Sequence, residues 1–479
     1  MDAETNNMKV VLPECPGCVA AGRRIAELEQ QNARLVAQGE RQQAQIKQLQ
    51  EQMEALNRGA KRQAAPFSRG LPKADPKRPG RKAGEDYGPK AFRAVPPVID
   101  EVYEAPLPAQ CPNCGGVAFR PMGVEEQYQV EIPRRPVYRQ FHVAVGRCTC
   151  CGKRVQGRHP LQTSNALGCC ASQVGPEAQA AVVMLNKELG LSQGKISRFF
   201  QAVFGIKLTR GGSCQIMLRA AERCQQTYQA IVKRVQESPW IVPDETGWRI
   251  GGQGAWLHVA VGPDAVAYVV GKRGIETSML LIGRDYAGKL IHDGWGAYDK
   301  FYRALHQTCL THLLRRCGEI LETATGGAVH FPRQVKGLLQ ESLEIRDRRD
   351  AGAIAPAAAC VRADALDGRM NKLLAYTRTN PTNERFAKHL ARHRRELFTF
   401  LRHAGIDATN HRAEQAIRPA VVNRKVWGGN RTPAGAAAQA ILMTVLFTAI
   451  KNGRDALEFL SLQLRSPHTL GPPLPIPTG

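Results

Sequence analysis

The sequence predicts a multidomain α+β protein. Three observations carry this: a heptad-patterned helix near the start, two CxxC motifs joined by strand-like sequence, and short apolar runs ending in aspartates, with long helical stretches after them. At 479 residues the chain has room for roughly two to four domains with their own cores. Its 66 Lys and Arg against 42 Asp and Glu leave a formal charge of +24. Such an excess favours a polyanionic partner, nucleic acid first, and salt-dependent binding. Fourteen cysteines in so long a chain, with the polar start MDAETNNMKVV, fit a reducing cytosol better than a disulfide scaffold. AAAQAILMTVLFTAI is shorter than the ~18 apolar residues of a membrane span and reads as a buried helix, so the protein is expected to be soluble.

Residues 22–57 place Ile25, Asn32, Gly39, Ile46 and Met53 at one heptad position and Leu28, Leu35, Gln42, Leu49 and Leu56 at the other. This is a short coiled coil, assigned to residues 1–58. Asn32 favours a parallel dimer in register, whereas Gly39 and Gln42 weaken the middle. Ahead of it, Cys15 and Cys18 in CPGC would bring four thiols together across the dimer axis. A Pro/Gly-rich linker follows at 59–105, with ten Lys/Arg against three acids over 59–95. It cannot bury a core, and its charge suits either phosphate binding or a solvated tether.

CPNCGG and CTCCGK then supply two cysteine knuckles, each followed by glycine and joined by the alternating stretch VYRQFHVAVGR. That spacing matches a zinc ribbon at 106–160 with Cys111, Cys114, Cys148 and Cys151 as tetrahedral ligands and Cys150 as a spare thiol. Residues 161–235 are expected to be helical. PEAQAAVVMLNKELG and SQGKISRFFQAVFG have helix-turn-helix length, with Ser192 as N-cap and with Lys195 and Arg198 near the start of a reading helix. A plain helical hairpin fits the same pattern.

The texture changes at SPWIVPDETGWRI, an apolar run that ends in Asp244 and is expected to turn there. GAWLHVAVG and AVAYVVG read as two further strands, and KLIHDGW as a fourth run ending in Asp293. Two carboxylates at the ends of neighbouring strands are costly unless cations neutralise them. Mg²⁺, with its preference for oxygen ligands and phosphates, suits such a site, and paired ions support phosphoryl transfer. A third acid is expected on a helix. TNHRAEQAIRPAVVNRKVWGGNRT supplies Glu414, with Asn410 as a cap and Arg418 four residues on along the same face.

Together, DETGWR, WLHVAVG, IHDGWGAYDKF, CLTHLLRRC and NHRAEQAIRPAVVNRKVWGGN closely resemble the transposases of the insertion-sequence-sixty-six type. The resemblance extends upstream through APFSRG, PGRKAG, the coiled coil and the paired CxxC motifs, and so covers nearly the whole chain. It implies a bacterial, nucleoid-associated DDE transposase with a ribonuclease-H-like catalytic domain at 236–319 and 405–460, acting on the ends of its own element. Carried over residue by residue, the triad is Asp244, Asp293 and Glu414, holding two Mg²⁺, with Zn²⁺ structural. Glu245 is set aside as facing the opposite side of its strand, and Asp299 as lying past the strand end. Arg418, Arg424 and Lys425 would position DNA backbone, and Trp295 and Tyr298 would pack beside or stack on DNA. Gly294 and Gly296 allow close backbone approach.

The span between Asp293 and Glu414 exceeds what a minimal fold of this class needs, so a basic helical insertion is placed at 320–404, against DNA or a second subunit. Cys309 and His312 form a CxxH pair too small to hold a metal alone, with His312 read as a neighbour of the carboxylates. The tail at 461–479 reads as disordered. Partners implied are DNA, a second copy through the coiled coil, and accessory proteins of the same element. The competing reading is a zinc-ribbon DNA-binding repressor of transposition whose catalytic domain is inactive.

Overall fold

The computed structural model describes residues 16–61 and, between 95 and 465, all but 121, 131, 133–134, 160, 163–165, 167–172 and 404. Cys15 and the thiol pair it would form, the basic linker over 62–94 and the tail from 466 lie outside the described residues. The chain divides into two compact units, residues 1–130 and 131–479.

In the first unit, α1 (Pro16–Lys61) is one long helix. Its heptad residues Ile25, Leu28, Leu35, Ile46 and Leu49 are 49–57% exposed, so the apolar seam read from the sequence faces outward. Further along, Cys111 N–H donates to Gly116 O and Gly115 N–H to Cys111 O, both at 2.8 Å, closing a tight turn with Gly115 at φ +72°.

The second unit opens with the antiparallel hairpin β1 (Val145–Arg147) and β2 (Arg154–Gln156). Its turn repeats the same bonds: Cys148 N–H to Lys153 O and Gly152 N–H to Cys148 O, both at 2.9 Å, with Gly152 at φ +69°. Four helices follow: α2 (Pro176–Lys187), α3 (Gln193–Phe204), α4 (Arg210–Arg223) and α5 (Gln225–Gln236). Ser192 occupies the N-cap of α3 with an extended backbone, but its side chain makes no cap bond. Gly205 in the left-handed region ends that helix.

The sheet is built from β3 (Trp240–Ile250), β4 (Gln253–Val261) and β5 (Val266–Gly271), then, after α6 (Ile275–Ile282), β6 (Lys289–His292) and β7 (Leu305–Thr308). Strand order is β5-β4-β3-β6-β7, with an antiparallel meander on one side and the parallel β6 and β7 on the other. Helices α7 (Leu310–Thr323), α8 (His330–Asp350), α9 (Pro356–Leu374), α10 (Pro381–Arg392) and α11 (Thr399–Arg402) separate the sheet from α12 (His411–Trp427), α13 (Pro433–Lys451) and α14 (Ala456–Gln463).

Strand periodicity sorts the core into two layers. Val242, Leu257, Val259, Tyr268 and Ile291 join the cluster under α7–α10 and α12. Ile241, Ala260, Ala267 and Leu290, their immediate neighbours, join the cluster under α2–α6, α13 and α14. Both faces are covered, which explains why the strands read as nearly continuous apolar runs.

Helix α13 is long and apolar enough to cross a membrane, but most of it is buried in the core. Its threonines cover the outer edge of β5: Thr444 Oγ1 accepts from Tyr268 N–H at 2.9 Å and Thr448 Oγ1 from Val266 N–H at 3.1 Å. An edge strand capped in this way offers no row of open donors.

Two sequence expectations are corrected here. Asp244 does not end its strand, because β3 runs on through it to Ile250 and turns only at Gly251 and Gly252. And β7 forms from the polar LHQT, a segment that carries no strand pattern.

Candidate active site

Asp244 sits where β3 loses one neighbour. Pairing with β6 stops at Ile241↔Leu290, two residues before Pro243, which has no N–H to continue a ladder. Pairing with β4 continues past Asp244, opposite Val259. Asp293 follows immediately after β6. Its Oδ1 accepts from Trp295 N–H at 2.8 Å, and Gly294, at φ +88°, supplies the left-handed turn that a side chain would strain. A Cβ at Gly296 would come within 2.6 Å of the Arg392 guanidinium, so the close approach at this loop is to an insertion side chain.

Glu414 lies in the first turn of α12. Several contacts fix that helix on β3. The Arg424 guanidinium donates to Gly247 O and Thr246 Oγ1, and Trp248 Nε1 donates to Asn430 Oδ1 at 2.7 Å. Gly429 lies so close to Arg249 that a Cβ there would stand 2.6 Å from its carbonyl oxygen, so the glycines of VWGGN let the helix end touch the strand. Asn410 holds the N-cap position, but its amide atoms are buried and bond nothing, contrary to the cap expected from sequence. Its N–H donates instead to Cys309 Sγ at 3.3 Å, tying the start of α12 to that of α7.

The three acids share one electrostatic environment. Burial first, then the charges of Glu245, Asp293 and Glu414, push the Asp244 carboxyl up to about 8, against one hydrogen bond from Glu245 N–H. Glu245, discarded on strand alternation, belongs to the cluster. Its carboxylate accepts from Tyr298 Oη at 3.0 Å and Arg273 Nη2 at 3.2 Å, and burial and Asp293 raise its pKa. Burial and the charges of Glu245, Asp293 and Asp244 drive the Tyr298 hydroxyl well above its usual range, so it stays a donor. Asp299 is accounted for by its ion pair with Arg392. His312 Nε2 lies 3.5 Å from Glu414 Oε1, while its Nδ1 is buried without a partner.

A second constellation adjoins the first. His292, His306 and Glu396 place their ligand atoms within 4.8 Å of one another, the one such group of three among the described residues. No three of Asp244, Glu245, Asp293 and Glu414 bring their carboxylate oxygens that close together. The hydrogen bonds around His292 decide what the imidazole group is. Gly294 N–H donates to His292 Nδ1 at 3.1 Å, so Nε2 carries the proton and donates to His306 Nδ1 at 3.0 Å. His306 Nε2–H then reaches Phe301 O at 3.0 Å. A ring donating through Nε2 offers no lone pair there, so this is a hydrogen-bond chain rather than a metal site. Burial pushes His292 down to about 3, against the pull of Glu396, which keeps it neutral. Glu396 accepts from Thr308 Oγ1 at 2.7 Å and His393 Nδ1 at 2.9 Å. Burial works against its charge, but His393, His292 and Thr308 outweigh it and hold Glu396 at about 2.

Of the basic residues expected to meet DNA, Lys195 and Arg198 are exposed on α3, and Arg418 and Lys425 are exposed on α12. Arg424 is bonded to β3 as above. In the knuckles, hydrogen bonds from Asn113 N–H and Cys114 N–H lower the Cys111 thiol, and those from Cys151 N–H and Cys150 N–H lower Cys148. A lowered thiol pKa favours the metal-ligating form at each knuckle.

Sequence reasoning missed Arg273, His306, His393 and Glu396, set Glu245 aside, and gave Tyr298 to DNA, whereas Tyr298 is buried and donates to Glu245. The signals present were the second acid of DETGW and the aromatic of GAYDK. Against known families, the chain matches the model described as Transposase IS66 family over residues 171–438, more than half its length. No curated protein matches it.

Proposed function

The chain belongs to the IS66 transposase family, and from that premise we propose that it cuts DNA at the ends of its own element and joins the freed ends to target DNA. In this reading Asp244, Asp293 and Glu414 are the metal-bearing acids of a ribonuclease-H-like centre. The observation that carries it is the placement of three acids: Asp244 on β3, Asp293 at the end of the parallel β6 beside it, and Glu414 in the first turn of α12, which Arg424 and Asn430 hold on β3; carboxylates within one another's field favour a divalent cation. A meander of three antiparallel strands continued by two parallel ones supports the fold assignment.

The donors are all carboxylate oxygens, which fits Mg²⁺ or Mn²⁺ better than a softer ion. Bound there, two Mg²⁺ would polarise the attacking and leaving oxygens of an in-line displacement. The chain's own residues do the rest. Trp295 N–H fixes one oxygen of Asp293 and so leaves the other to face the cluster. Tyr298 donates to Glu245 and orients its carboxylate. Arg424 and Asn430 keep α12, and Glu414 with it, on the strand that carries Asp244.

Exposed Lys195, Arg198, Arg418 and Lys425 then carry the DNA backbone. Each knuckle, Cys111–Cys114 and Cys148–Cys151, offers a thiol pair to zinc, and the outward apolar seam of α1 pairs with a second copy. Replacing Asp244, Asp293 or Glu414 with Ala is expected to lower cleavage and strand transfer by roughly 10⁴-fold, the scale for removing one member of a catalytic unit. Binding to element ends should be largely retained. The measurement is cleavage of a duplex carrying the terminal inverted repeat with Mg²⁺ or Mn²⁺, and full activity of any of the three variants refutes the assignment.

A further inference from the structure

We propose that Arg273 is a substrate ligand of this centre, a guanidinium clamped between two indoles that grips one backbone phosphate of the DNA beside the acid cluster. The proposal rests on the reading of Asp244, Asp293 and Glu414 as the cutting centre and adds a substrate contact to it.

Arg273 lies in the turn GKRG between β5 and α6. Its guanidinium carbon is 4.4 Å from the Trp256 ring centroid and 5.0 Å from that of Trp295, so the cation is flanked by two indoles. Nη2 donates to Glu245 Oε1, yet the Arg273 side chain is 47% exposed while that of Glu245 is 3% exposed. One edge of the fork thus anchors in the cluster and the remainder faces solvent.

The turn beneath is fixed as well. Lys272 O accepts from Thr277 Oγ1 and from His258 Nε2, both at 3.0 Å, and His258 is buried with Nδ1 3.3 Å from Ser278 Oγ. Backbone anchoring, a carboxylate partner and two aromatic neighbours remove most of the side chain's freedom before any ligand arrives. A cation needed only to neutralise Glu245 requires none of this, since Tyr298 already serves that carboxylate.

The chemistry selects the ligand. A site with four carboxylates repels DNA, and Arg273 is a cation bonded directly into it. A planar fork of donors matches two phosphate oxygens.

The test is binding of a duplex carrying the terminal inverted repeat, with Ca²⁺ replacing Mg²⁺, while each phosphate near the cut is neutralised in turn as a methylphosphonate. Wild-type protein should lose about tenfold in affinity at one position. Arg273→Gln should lose nothing further there and should show a salt slope shallower by about one. Arg273→Lys, which keeps the charge without the fork, should show the same missing coupling and should cleave about a hundredfold more slowly with Mg²⁺. Losses that simply add at every phosphate overturn the proposal, as does coupling to 7-deazaguanine instead, which would assign Arg273 to a base edge. Asp244→Ala separates the two readings. It should bind with the wild-type phosphate coupling in Ca²⁺ and fail to cleave in Mg²⁺, whereas normal cleavage by it in Mg²⁺ would end the acid reading and leave the Arg273 result standing.

Discussion

His292 and Asp293 are neighbours in the chain and belong to opposite kinds of arrangement. The imidazole is fully buried, and both its ring nitrogens have complementary partners. The carboxylate one residue later joins Asp244, Glu245 and Glu414, whose charges oppose one another. The first network pairs donor with acceptor around His292 and ties the ends of β6 and β7 to the segment between α10 and α11 through Thr308, His393 and Glu396, although His393 Nε2 is buried without a partner. The second is open, with more negative charge than its own residues can balance. Polar groups that satisfy one another hold a scaffold, whereas like charges held together by that scaffold are an invitation to a cation.

Breaking the first network should cost most. Glu396→Ala strands the Thr308 hydroxyl and the His393 ring, and should lower stability by about 3 kcal/mol in urea unfolding near pH 7. The sign with pH follows from a folded pKa depressed to about 2. The contribution is present above the unfolded value near 4.5 and is lost as pH falls through 2, so wild type and variant should converge in acid. If the gap stays constant from pH 7 to 2, Glu396 is not held by the bonds described.

Relieving the open cluster should do the reverse. Asp244→Asn removes one of four opposed carboxyls and should raise the metal-free stability by about 1 kcal/mol. It should also flatten the rise in melting temperature that millimolar Mg²⁺ gives the wild type. An unchanged Mg²⁺ response would place the cation elsewhere.

An effect read in pH is expected at Lys187, which falls between the two cases. It is buried, it bonds the neutral Gln439, and it lies 5.8 Å from the Trp427 ring centroid. Burial lowers its pKa to about 7. The unfolded chain therefore binds the extra proton between about pH 7 and 10.5, and stability rises with pH across that window. Lys187→Met should flatten this slope in thermal melts from pH 7 to 10, and an unaltered slope would mean that the amine stays charged in the fold.

The strands β4 and β5 and the apolar runs leading to both aspartates were legible because their side chains alternate between two covered faces. β7 was not, since its residues meet partners far along the chain: Gln307 bonds Leu397 O and Phe400 N–H, and Thr308 bonds Glu396. Glu245 was misjudged for a related reason. Alternation does turn it from Asp244, but Tyr298 and Arg273 meet it there and keep it within the field of Asp293. Pattern reports which face a residue takes, while the long-range hydrogen bonds that make a polar residue welcome in the interior leave no periodic trace. The insertion's Glu396 and His393 are of that kind.

Placing Glu414 on α12, beyond five helices that follow β7, also sets an order in time. A ribosome adding ~5–20 residues each second takes roughly 6–24 s to pass from Asp293 to Glu414. Throughout that interval the nascent polypeptide exposes two aspartates and lacks the third acid. The proposed cutting centre is therefore completed late in synthesis, after helices α7–α11 have been made.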